Sequence, residues 1–152
     1  MSSLNAFVVA VELAERQRDA ARQTLGNVQG ARQAAQAQLE QLSGYAAETQ
    51  GRWGMRAGAT VQPEVMHHHY QFIGRLDHAI GLQTQALSGQ DQRVDQARKA
   101  LLQAELRLSS LRKVLERRRA ELALLAQRRE QKQTDERASQ RAAARMGAMD
   151  EE

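Results

Sequence analysis

From Ile73 to Leu125 apolar residues recur with an alternating step of three and four. The positions are Ile73, Leu76, Ile80, Gln83, Leu87, Gln90, Val94, Ala97, Leu101, Ala104, Leu108, Leu111, Leu115, Arg118, Leu122 and Leu125. Thirteen of these sixteen are apolar and the phase never slips, so the stretch is predicted to be one α-helix with a narrow apolar stripe along one side. The residues between are mostly Gln, Arg, Ala, Asp and Glu, which tolerate both a helix and water. A stripe this long and this narrow needs another helix to cover it.

A second array supplies that helix. Stepping from Leu4 in the same way gives Phe7, Val11, Ala14, Arg18, Ala21, Leu25, Val28, Arg32, Ala35, Leu39, Leu42, Ala46, Thr49 and Trp53. Arg18 and Arg32 interrupt this seam, and Gly26 and Gly30 each lower helix propensity by up to ~1 kcal/mol. The periodicity stops between Gly54 and Gln62, and Pro63-Glu64 suits the first turn of a new helix. A break this short returns the chain antiparallel. The predicted fold is therefore all-α, an antiparallel two-helix coiled coil in the form of a long α-hairpin, closed within one chain and mainly monomeric. Helix 1 is expected over about residues 4–53, the turn over 54–62, helix 2 over 63–140 and a flexible tail over 141–152.

A turn centred near residue 58 sets Leu42 against the turn around Leu76, and Leu4 against the region of Leu111. The second helix then overhangs the first, and residues from about 112 to 140 have nothing in this chain to pack against. They still carry Leu115, Leu122 and Leu125.

Charge makes that overhang distinctive. Of the net +4, residues 112–149 hold about +6, the stretch before them is close to balanced, and Asp150, Glu151 and Glu152 subtract three. Aromatics make up only 3%, which again favours long helices over a thick core. Without cysteine there is neither a disulfide framework nor a Cys-based zinc site, in keeping with a reducing compartment. Neither a signal peptide nor a long apolar run is visible, so the expectation is a soluble, cytoplasmic protein.

Little in the chain suggests catalysis. His67, His68 and His69 are consecutive, and successive helical side chains diverge by about 100°, so they cannot converge on one metal. Gly51-Arg52-Trp53-Gly54 follows a helical seam rather than a strand and lacks the Gly-Lys-Ser/Thr ending of a phosphate loop. No serine lies beside a plausible base, and two paired helices offer no cavity of catalytic size. Neither an enzyme nor a cofactor is expected. Arg112-Lys113, Arg117-Arg118-Arg119 and Arg128-Arg129 could attract nucleic acid, but no aromatic residue interleaves with them to stack on bases. An acidic protein surface is the better match.

Tyr45 and Phe72 each sit one position before a seam residue, on the flank that heptad lettering calls g. In an antiparallel pair the two g flanks lie on the same side, so these rings should meet across the helices beside Leu42 and Leu76. Two readings stay open: rings that cover the seam edge, or a half-exposed apolar patch for a partner.

Gln38-Leu39-x2-Leu42-x2-Tyr45 on the first helix and Tyr70-Gln71-Phe72-Ile73-x2-Leu76-x2-Ala79-Ile80 on the second resemble the flagellar FliJ family. The Leu13-Ala14-Glu15 stretch, Leu25-Gly26, the turn placement and the Arg-Ala-rich tail match as well, so the similarity spans nearly the whole chain. The resemblance implies a coiled-coil stalk of the flagellar type III export apparatus, similar to the central stalk of rotary ATPases, acting in flagellum biogenesis and hence motility and chemotaxis. It implies three partners: the hexameric export ATPase, the cytoplasmic part of the export-gate membrane protein, and export chaperones. It also implies a location at the inner face of the membrane. The equivalent stalk of a virulence type III system differs only in setting, and an Arg-rich coiled coil binding nucleic acid is the reading from another class. The family's gate-contacting surface matches Gln38, Leu42, Tyr45, Phe72, Leu76 and Ala79, with Thr49 standing where an aromatic is expected and Gln83 where histidine can occur. For the ATPase, the expected contact is the basic overhang with its stripe: Arg112, Leu115, Arg117, Arg118, Arg119, Leu122 and Leu125.

Overall fold

The computed structural model describes residues 2–56 and 62–151. They form two helices, α1 (Ser2–Arg56) and α2 (Pro63–Asp150), packed against each other as a helical hairpin. The residues at the middle of the expected turn, 57–61, lie outside the described part.

Local chemistry sets the helix ends. Gln62 is the last residue before α2, and its carbonyl oxygen accepts from the amides of Val65 and Met66 at 3.1 and 3.2 Å. Pro63 fills the first helical position, where its missing N–H costs nothing, and Glu64 complements the positive end of the helix dipole. At its other end α1 passes the expected limit at Trp53 and reaches Arg56. The Arg52 guanidinium lies 2.6 Å from the Glu48 carboxylate across one turn, which supports this last stretch.

α2 also runs beyond expectation, through the stretch read as a flexible tail, to Asp150. Ala138, Ala142, Ala143 and Ala144 alternate there with arginines, and these are among the strongest helix formers. Composition that promises little packing still favours the helix itself.

The seam keeps its phase throughout. Every position of the first array is buried or half-buried, and so is every position of the second as far as Leu115. The chain comprises two compact units. In one, α1 up to Arg16 packs on α2 from Leu106 onward, around Val11, Ala14, Leu108 and Leu115, with Leu4, Phe7, Val8 and Leu111 against them. In the other, Gln17–Glu105, the buried residues are Ala46, Leu76, Val94 and Ala97.

Leu115 therefore corrects the expected register. It is 6% exposed, covered by the start of α1, and not part of a bare overhang. The physical reason is an offset. Trp53 stacks on His69 at 4.0 Å, and this pairing mirrors the two helices about residue 61 rather than 58. Stepping outward from that stack pairs Ala46 with Leu76 and Ala14 with Leu108, all four of them buried. From Glu116 to the end of α2 every described side chain is exposed, including Arg118, Leu122 and Leu125. That bare segment is about 50 Å long.

Leu108, 2% exposed, and Leu122, 39% exposed, occupy equivalent seam positions on either side of this boundary. Leu108→Ala should lower stability by about 2–5 kcal/mol, whereas Leu122→Ala should change it by no more than about 0.5 kcal/mol. Thermal unfolding followed by circular dichroism measures both. Equal losses would mean that α2 is covered beyond Leu115 as well.

Candidate functional site

The two edges of the seam in Gln17–Glu105 differ in chemistry. On the flank just after the seam positions, Arg32 Nε donates to Asp91 Oδ1 at 2.8 Å, and Arg22 approaches Glu105 at 3.9 Å. On the opposite flank Tyr45 meets Phe72 edge to face, with ring centroids 6.0 Å apart and planes at 90°. Cross-helix ion pairs stitch one edge, and a pair of aromatic rings caps the other.

The aromatic edge is half open. Tyr45 is 52% exposed, while Phe72, Leu42 and Ala79 are half-buried and Gln38 is exposed. Leu76 is buried and lies beneath this edge as its support. The six residues thus form one short ridge on two helices, with an apolar floor and a phenol on top. An edge-to-face ring pair holds the ridge in shape, because each ring places its positive rim on the other's negative face. Val65, one heptad before Phe72, is exposed on the same flank and lengthens the apolar edge toward the start of α2.

Thr49 and Gln83 are half-buried seam residues. The Gln83 amide turns inward and donates to the Ala35 carbonyl at 3.0 Å. Its polar head is therefore occupied by α1.

The histidines part company. His67 shares a 3.1 Å hydrogen bond with Gln71, while His69 lies flat on Trp53 with the ring planes 9° apart. The stack makes His69 a seam residue rather than a solvated one. One further backward step of four from Ile73 lands on His69, so the seam phase itself held the signal.

The basic end is more divided than expected. Arg112 donates to Glu15 at 3.1 Å beside the core that buries Leu115, so both belong to packing within their unit. Arg117, Arg118, Arg119, Leu122 and Leu125 lie on the bare part of α2. Arg118 reaches Glu121 at 3.3 Å, one turn along its own helix. What the bare segment offers is an exposed helix with an arginine triplet and, one turn on, a leucine cluster.

Comparison with known families settles what kind of protein carries this geometry. The model of the flagellar FliJ protein family matches residues 4–147, nearly the full length of both helices. The chain belongs to the flagellar FliJ family. No curated protein matches it. FliJ proteins are non-catalytic components of the flagellar export apparatus. Among the described residues no helix is long and apolar enough to cross a membrane.

If the rings stabilise each other, the pair Tyr45→Ala and Phe72→Ala should be non-additive. A double-mutant cycle on unfolding free energy should return a coupling of about 0.5–1.5 kcal/mol. A coupling near zero would leave the two rings as independent neighbours.

Proposed function

We propose that this FliJ-family chain links the hexameric export ATPase to the cytoplasmic part of the export-gate membrane protein, and assists export chaperones in handling substrates. The observation that carries the reading is the Tyr45–Phe72 ridge, a half-exposed aromatic pair that bridges the two helices, within a family of the export apparatus. Gln38, Leu42, Tyr45, Phe72 and Ala79 make the gate contact, with Leu76 supporting them from below. The chain works as a monomer at the inner face of the membrane, at the flagellar base, held there by its partners.

The ATPase contact falls to the bare segment of α2, through Arg117, Arg118, Arg119, Leu122 and Leu125. The arginines steer the helix toward an acidic surface over a distance set by salt, about 10 Å at 0.1 M. The leucines supply short-range contact after docking. Arg112 and Leu115 serve indirectly, by anchoring the root of this segment.

Two binding experiments test the assignment. Tyr45→Ala and Phe72→Ala should each weaken gate binding about tenfold or more while helicity is kept. Unchanged affinity in both folded variants would reduce the ridge to a cover for the seam. Reversing Arg117, Arg118 and Arg119 to Glu should slow association with the ATPase and flatten its dependence on salt, with gate binding close to that of the parent. If the triple variant engages the ATPase like the parent across a salt series, the ring contact lies elsewhere.

A further inference from the structure

Near its middle the seam of Gln17–Glu105 loses its apolar character. Counting outward from the Trp53–His69 stack, Arg32 of α1 falls level with Gln90 of α2. Neither residue fills the seam well. Arg32 turns its guanidinium out of the seam to Asp91 at 2.8 Å, and its side chain is 42% exposed. The Gln90 Oε1 is buried and has no hydrogen-bond partner among the described residues. A buried carboxamide oxygen without a donor resists closure of the layer, because opening returns it to water.

Each helix carries a glycine beside this layer, among others spread along both helices. Gly30 and Gly89 lie within two residues of Arg32 and Gln90, with Gly26 and Gly81 further along the two helices. A Cβ added at any of the four would meet nothing within 4 Å. The described backbone contains no positive φ, so these glycines are required neither by close approach nor by conformation. Each nonetheless lowers the helix-forming equilibrium about fourfold relative to alanine. Buried apolar residues bracket the weak stretch, Ala46 with Leu76 on one side and Val94 with Ala97 on the other.

We propose that the Arg32/Gln90 layer, with Gly30 and Gly89 beside it, is a soft joint in the seam. Residues 28–34 and 86–92 open locally while the layers around Leu76 and Ala97 stay closed. Opening wets Gln90 Oε1, leaves the Arg32–Asp91 pair to follow one helix or the other, and lets the segment bearing Tyr45 and Phe72 swing about the joint. A contrasting role for a polar layer is to fix register or oligomeric state, in which case the layer would be stiff.

Hydrogen exchange with mass spectrometry on the full chain separates the two. Amides of 28–34 and 86–92 should exchange at least tenfold faster than those of 42–49 and 73–80. Gly30→Ala with Gly89→Ala should slow exchange in the joint about tenfold and leave the flanking rates alone. Arg32→Leu with Gln90→Leu should do the same by filling the layer, and should remain monomeric in sedimentation. Uniform exchange along the parent seam would overturn the joint, as would glycine replacements that leave the contrast unchanged. Formation of stable dimers by the leucine pair would identify a register-setting layer instead, and would also overturn the proposal.

Discussion

Everything in this chain depends on a single narrow seam. Two helices can shield only one strip of each other, so even the best-covered side chains, Ala14 and Leu108, keep 2% of their surface exposed. With so thin a core, stability accumulates layer by layer along the helices instead of converging on a centre. A polar layer then matters locally without undoing the rest. Arg18 and Arg32 occupy seam positions because an arginine stem can lie along the seam while its head leaves for water and a carboxylate, Asp19 in one case and Asp91 in the other.

The same constraint leaves edges and ends as the surfaces proposed for partners. In the proposed role, recognition falls to a flank and to an uncovered segment. The Tyr45–Phe72 ridge is such a flank, and the exposed part of α2 after Leu115 is such a segment. Ion pairs, Arg22–Glu105 and Arg32–Asp91, occupy the opposite edge of the seam. Exposed pairs of this kind contribute about 0–1 kcal/mol each, so they tune the pairing of the helices more than they drive it.

Phase was legible in the sequence and offset was not. The three-four step fixes which face of each helix is buried, and from Leu4 to Leu115 no seam position departs from it. Sliding one helix by a heptad leaves that pattern unchanged, so the apolar positions alone cannot choose the offset. The choice shows at Trp53 and His69, a ring pair that the polar look of His67-His68-His69 concealed. The wrong offset freed Leu115 and Arg112, which the structure returns to packing with α1. The meeting of Tyr45 with Phe72 was legible because like flanks face each other in an antiparallel pair at several neighbouring offsets. The end of α2 is helical rather than a loose tail because alanine's intrinsic preference for the helix outweighs the scarcity of apolar residues there.

The central claim is that the seam closes within one chain at the offset set by Trp53 on His69. The absence of native cysteine allows a direct test by engineered disulfides. Ala14→Cys with Leu108→Cys, two buried partners of one cluster, should oxidise readily to an internal bridge in a monomer. Ala14→Cys with Leu101→Cys, displaced by one heptad, should not. Bridging between chains, or preferential bridging of the displaced pair, would contradict the account.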